Sequence, residues 1–233
     1  MRLLLFDVDG TLVTARGAGR RAMASAFVQV YGASGPIEEY DFRGKTDLQI
    51  VADLMGAAGV PAREIAARVP AFFERYVDEL RAEIGAGERV ELMPGVAEVV
   101  VRLTDRPDAL VGLLTGNIEA GARVKLEPTG LWRYFRLGAY GSDDPDRARL
   151  LEVALRRAET LVGRAFQPRE VVVIGDTPLD IDCARASGAV AAAVATGQHS
   201  LEELAAFGPD FLFPDFSDVP RVLATLLNGD PRR

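Results

Sequence analysis

Short apolar runs without alternation punctuate this chain: Leu3 to Phe6, Ala109 to Leu114, Val171 to Ile174 and Ala189 to Val194. Runs of this kind read as strands buried on both faces. Leu137 to Tyr140 reads as a shorter strand and Asp210 to Phe213 as an edge strand. Between these runs the apolar period changes to that of a helix. Val96, Val99, Val100 and Leu103 share a face, and helices are predicted over 96–103, 118–126, 147–161, 180–186 and 219–227. Ser200 and Glu203 have capping-box spacing and start another. The stretch from 14 to about 90 has only the helical period. Helices are predicted there over 18–31, 48–55, 61–69 and 71–84, with Pro70 dividing the last two, and Gly85-Ala86-Gly87 and Met93-Pro94-Gly95 closing the region.

Strands alternating with helices predict an α/β protein with a doubly wound parallel sheet. The block without strands is then an all-helical insert. The expected division is a core of residues 1–13 and 94–233 and a helical cap of residues 14–93. Ligands of such sheets bind beyond the carboxyl ends of the strands. The first strand ends in Asp7-Val8-Asp9-Gly10-Thr11, the run from 109 in Thr115-Gly116-Asn117, and the run from 171 in Gly175-Asp176, with Asp180 four residues on. A side-chain period of two turns Asp7 and Asp9 the same way, and Gly10 permits a sharp exit. Two adjacent carboxylates repel unless a cation or shared proton relieves them. A phosphate dianion costs about 2 kcal/mol to bring within about 4 Å of one carboxylate in water, and about 8 at an effective dielectric near 20. Such a site needs positive charge. Asp7, Asp176 and Asp180 suit a hard divalent cation such as Mg²⁺. Thr115, Gly116 and Asn117 offer a hydroxyl and backbone N–H groups at a helix start, a cradle for phosphate oxygens. The alternative for Asp180 is a charge placed to suit the helix dipole.

Asp7-Val8-Asp9-Gly10-Thr11-Leu12 after an apolar strand resembles the first motif of the haloacid dehalogenase superfamily. Thr115-Gly116-Asn117 is similar to its second motif, and Gly175-Asp176-Thr177-Pro178-Leu179-Asp180 to its fourth. The resemblance covers nearly the whole chain and is strongest to phosphoglycolate phosphatases. It implies Asp7 as nucleophile on phosphorus and Asp9 as general acid/base. It implies phosphate binding by residues 115–117, and metal binding by Asp7, the backbone carbonyl of Asp9, Asp176 and Asp180. The helical insert resembles this superfamily's α-helical cap. In that setting Arg43-Gly44-Lys45-Thr46-Asp47 lies where cap loops reach the substrate, and Lys45 and Arg43 are expected to contact a leaving group bearing a carboxylate or second phosphate.

The third motif departs from the family. A Lys-Pro pair is common there; this chain has Asp143-Asp144-Pro145-Asp146-Arg147. Two substitutes for the missing cation are open, Lys125 and Arg147. Of 27 basic residues only Lys45 and Lys125 are lysines. A chain that uses arginine so widely has reason to keep a compact ammonium where it stays, which favours Lys125. The objection is reach: Lys125 lies eight residues beyond Asn117, about 12 Å along a regular helix.

Composition narrows the class. A net charge of −7 disfavours nucleic acid as a partner. No apolar run approaches a membrane span, and neither a signal peptide nor a possible internal disulfide is visible, so the cytoplasm is the expected location. One histidine, His199, argues against zinc and His-triad hydrolases. The expectation is a Mg²⁺-dependent phosphatase of a small phosphorylated metabolite, monomeric or homodimeric. A β-phosphoglucomutase-like phosphotransferase shares the same residues. A non-catalytic metabolite-binding protein on this fold is the reading from another class.

Overall fold

The computed structural model describes residues 1–85 and 90–229. Its sheet has six parallel strands in the order β5-β4-β1-β6-β7-β8. These are β1 (Arg2–Phe6), β4 (Ala109–Thr115), β5 (Gly138–Tyr140), β6 (Val171–Gly175), β7 (Val190–Val194) and β8 (Phe211–Phe213). The apolar runs are continuous because β1, β4, β6 and β7 are covered on both faces. Leu4 and Phe6 face a layer built on α4 (Val96–Thr104) and α9 (Val219–Asn228), with Val99, Val100, Val222 and Leu226. Leu3 and Leu5 face the other layer, with Leu150 and Ala154 of α6 (Arg147–Val162) and Ile181 of α7 (Pro178–Ala186). The edge strand at 211–213 and the capping box that opens α8 (Leu201–Ala206) are as predicted. Glu203 N–H donates to Ser200 Oγ at 3.2 Å, and Ser200 N–H to Glu203 Oε2 at 2.8 Å.

Between β1 and β4 lie α1 (Ala18–Tyr31), α2 (Asp47–Ala57) and α3 (Ala62–Ile84). Ala18, Ala22 and Ala26 let α1 lie close to α3, where Phe27 stacks on Phe72 at 4.3 Å between ring centroids. Two details differ from the sequence reading. The helices predicted over 61–69 and 71–84 are one helix running through Pro70. An interior proline costs about 3 kcal/mol, but burial of Ile65, Phe72, Tyr76, Leu80 and Ile84 along one helix outweighs it. The insert's two links also pair. β2 (Val13–Thr14) and β3 (Glu91–Leu92) form an antiparallel ladder too short to leave a periodic signature. Of the closing turn predicted at Gly85-Ala86-Gly87, the last two residues lie outside the described ones.

Candidate active site

β4, β1 and β6 are neighbours in the sheet, so their carboxyl ends open at one place. A cavity of about 370 Å³ lies there, lined by Asp7, Asp9, Thr115, Gly116, Asn117, Lys125, Arg147 and Asp176 from the sheet side. Asp7 follows β1 and is 6% exposed. The chain then turns at Gly10, whose φ is +80°; a Cβ there would lie 2.3 Å from Asp176 Oδ2, so neither the turn nor the space admits a side chain. Thr11 follows and donates its hydroxyl to Asp176 Oδ1 at 3.0 Å.

Two subsites emerge. In the first, carboxylate oxygens of Asp7, Asp176 and Asp180 lie within 4.8 Å of one another, all three buried. Arg147 reaches the same cluster. Its Nη2 pairs with Asp180 Oδ1 and lies 3.4 Å from Asp7 Oδ1, and its Nη1 donates to Gly44 O at 3.2 Å. Burial pushes Asp7 up to about 6 against the pull of Arg147, and pushes Asp176 well above the usual carboxylate range, with the charges of Asp7 and Asp180 adding to it. Three converging carboxylates with one arginine are over-charged for a buried site. Their all-oxygen donor set fits a hard divalent cation. Asp180 serves the start of α7 and also reaches the acid cluster. Its Oδ2 accepts from Thr177 N–H at 3.1 Å and from the Thr177 hydroxyl at 2.7 Å, capping α7, while Oδ1 faces the cluster.

The second subsite is built around Asp9, whose side chain is 45% exposed to the cavity. Lys125 Nζ lies 2.6 Å from Asp9 Oδ2 and donates to Asn117 Oδ1 at 2.6 Å. Asn117 Nδ2 donates to Asp9 Oδ2 at 2.7 Å and to Thr115 Oγ1 at 2.9 Å. The reach objection to Lys125 fails. α5 (Glu119–Leu126) begins two residues beyond Asn117, and a lysine stem lies back toward the helix N-terminus. The choice between Lys125 and Arg147 also dissolves: both cations are in the site, on different carboxylates.

The helical insert supplies the opposite wall, including Arg20, Met23, Phe42, Arg43, Lys45, Ile50 and Tyr76. Arg43 forks onto Asp41 through Nε and Nη2, both at 2.8 Å. Lys45 Nζ lies 4.0 Å from the centre of the Tyr40 ring and 3.6 Å from Asp53. Both line the cavity as expected, each with its charge held by a partner within the insert. Sequence reasoning missed Tyr76 and Asp47. Tyr76 reads as one member of an apolar stripe, yet a Cβ at Gly19 would lie 3.7 Å from its Oη and 3.6 Å from Lys125 Nζ, which brings phenol and ammonium to the same corner of the cavity. Asp47 reads as the end of the 43–47 loop ahead of the helix predicted over 48–55; the structure makes it the first residue of α2 and buries it to 5% exposure.

Comparison with known proteins places the chain among similar sequences and folds. A phosphoglycolate phosphatase of Synechococcus elongatus is 27% identical over 228 residues, covering 97% of this chain and 99% of that one. A probable phosphatase, IndB, of Dickeya dadantii is 28% identical over 233 residues, covering 97% and 94%. Among solved structures, a hydrolase from Pseudomonas syringae superposes with a TM-score of 0.72 at 18% identity, covering 98% of this chain and 100% of that one. CbbY from Rhodobacter sphaeroides, in complex with phosphate, gives 0.71 at 21% identity, covering 94% and 96%. The family model of the haloacid dehalogenase-like hydrolases matches residues 1–188, and the chain belongs to that family of enzymes.

Proposed function

We propose that this hydrolase is a Mg²⁺-dependent phosphatase of a small phosphorylated metabolite, working through a phosphoryl group carried on Asp7, with residues 14–93 acting as its cap. The observation that carries the reading is the division of the cavity floor. A buried carboxylate, Asp7, stands in an acid cluster whose donor set suits a hard cation. A second carboxylate, Asp9, stands apart from it with its own lysine.

Asp7, Asp176, Asp180 and the Asp9 carbonyl would hold the metal, which when bound neutralises carboxylate and phosphate charge and lets the two approach. The residues do the rest. Thr115 and the 116–117 turn seat the phosphoryl oxygens. An Asp7 carboxylate oxygen forms a bond to phosphorus as the ester P–O bond breaks, and Asp9 delivers its proton to the departing alkoxide. With the alcohol gone, Asp9 takes a proton from a water whose oxygen bonds to phosphorus. The Asp7–phosphorus bond breaks, inorganic phosphate leaves, and Asp9 is again protonated. Lys125 holds Asp9 in place through both steps and steadies its ionised form. Arg147 takes the third-motif position against Asp7. The insert's wall excludes water.

The relative from Synechococcus is named for phosphoglycolate. A compact substrate with a second anionic group also suits Arg43 and Lys45, whose partners can be exchanged at the cavity wall. A monomer or homodimer in the cytoplasm is the expected setting; among the described residues no helix is long and apolar enough to cross a membrane. The test is turnover of phosphoglycolate, other small phosphomonoesters and p-nitrophenyl phosphate with and without Mg²⁺. Release of inorganic phosphate that requires Mg²⁺ and is abolished in Asp7→Asn supports the reading. Discharge of the phosphoryl group only to a sugar phosphate would make the protein a mutase, and turnover of none would make it a binding protein.

A further inference from the structure

Asp47 is buried at the joint between the helical insert and the core, and the hydrolytic steps above give it nothing to do. It is not needed to cap α2. Thr46 does that, its hydroxyl accepting from Gln49 N–H at 3.1 Å. Burial pushes the Asp47 carboxyl up to about 7 even though Lys125 and the Ile118 N–H draw it down. A carboxyl kept at that cost in a helix start that is already capped needs another reason.

Its hydrogen bonds supply one. Asp47 Oδ2 accepts from Ile118 N–H at 2.8 Å, and Asp47 N–H donates to Gly116 O at 2.7 Å. The two bonds bracket Asn117, whose amide contacts Asp9, Thr115 and Lys125. The joint is shaped for this approach. A Cβ on Gly116 would lie 2.0 Å from Lys45 O, and one on Gly141 would lie 1.8 Å from Gly116 O. Neither could be accommodated without moving the loop. Two further bonds from the same loop reach the 145–147 segment: Thr46 Oγ1 donates to Pro145 O at 2.7 Å, and Arg147 Nη1 donates to Gly44 O at 3.2 Å.

We infer that Asp47 is a positioning residue that makes the phosphate-binding turn depend on the docked insert: with Asp47 seated, Asn117 is aimed at Asp9 and at the phosphoryl group, and with Asp47 withdrawn the 116–118 turn is free to relax. The inference rests on the assignment of Thr115, Gly116 and Asn117 to phosphate. Substrate binding and docking of the 44–47 loop then favour each other, because each holds the same turn.

The test measures affinity for inorganic phosphate in the presence of Mg²⁺, kcat and KM for p-nitrophenyl phosphate, and melting temperature. The proteins are the wild type, Asp47→Ala, Asp47→Asn and Asn117→Ala. Asp47→Ala is expected to lose tenfold or more in both phosphate affinity and kcat. Asp47→Asn keeps an acceptor oxygen for the Ile118 N–H and is expected to recover to within threefold of wild type. Asp47→Ala with a lowered melting temperature but phosphate affinity and kcat within threefold of wild type would overturn the inference, leaving Asp47 a stabilising residue only. Undiminished phosphate affinity in Asn117→Ala would remove the assignment beneath it, and the inference with it. Hydrogen exchange on the wild-type protein is an arm that needs no variant. Phosphate with Mg²⁺ is expected to protect peptides covering 44–49 and 116–120 together. Protection of 116–120 alone would also overturn the inference.

Discussion

The two walls of the cavity hold their charges in opposite ways. On the sheet side Asp7, Asp176, Asp180, Arg147 and Lys125 are all nearly inaccessible, with Arg147 held between Asp7 and Asp180 and Lys125 against Asp9. On the insert side Arg43–Asp41 and Lys45–Asp53 are pairs with a quarter to a half of each side chain in solvent. Pairs of the second kind are weak and exchange partners readily. Pairs of the first kind are costly to break, because the remaining charge stays buried. In the proposed mechanism the difference separates two tasks. A group that must meet phosphorus in one geometry is fixed in advance. A group that selects among leaving alcohols gains from being able to let go of one carboxylate and take another.

Variants on the two walls should therefore differ in kind, and the largest effects belong to the sheet side. Asp7→Asn removes the attacking oxygen's charge and is expected to lower kcat about 10³-fold or more, read with p-nitrophenyl phosphate. Arg147→Ala strips the acid cluster of its resident cation and should cost about 3–5 kcal/mol of stability, read by denaturant unfolding without metal, together with about 10²-fold in kcat. Lys125→Ala is expected to lower kcat by about 10²; a loss of tenfold or less would remove Lys125 from the chemistry. On the other wall, Arg43→Ala and Lys45→Ala should shift the melting temperature by only about 1–2 °C. They should leave p-nitrophenyl phosphate turnover within about threefold while raising KM for an anionic substrate about tenfold. A collapse of p-nitrophenyl phosphate turnover in either variant would break the comparison.

The remaining expected effect concerns pH and Asp47, and is read in stability rather than in rate. Its carboxyl titrates near 3.8 when unfolded and near 7 in the folded chain. Between those values the folded state holds a proton that the unfolded state has released. The contribution of Asp47 to stability is therefore complete below about pH 4 and declines as pH rises toward 7. Asp47→Asn has no such proton, so its stability relative to wild type should increase across that window in denaturant titrations. A difference that stays flat with pH would mean that Asp47 is not buried in this way.

Much of this arrangement was legible in the chain because the chemistry sits where a strong pattern stops. Apolar runs that end in Asp7, Thr115 and Asp176 place those residues at one sheet edge once the sheet is parallel, and adjacency of β4, β1 and β6 completes the site. What stayed hidden depends on contacts between elements distant in sequence. Pro70 breaks a helix on local grounds, but the face that α3 buries against α1 keeps it whole. Tyr76 is lost in an apolar stripe because only its hydroxyl distinguishes it from its neighbours. Asp47 looks like one more polar residue of an interhelix loop, since nothing local reveals that Gly116 and Gly141 leave room for the loop to sink. On sequence alone the third-motif cation is open between Lys125 and Arg147. The sequence could not register that Asp7 and Asp9 stand far enough apart in character, one buried and one half open, to need a cation each.

The central claim is that phosphorus passes through Asp7. Rapid acid quenching of the protein during turnover of a ³²P-labelled phosphomonoester with Mg²⁺, borohydride reduction of the trapped acyl phosphate and mass mapping of the peptides test it directly. ³²P is expected on the acid-quenched protein and is released by the reduction, which leaves Asp7, not Asp9, converted to homoserine. Full turnover with no covalent label, or label on any other residue, would contradict it.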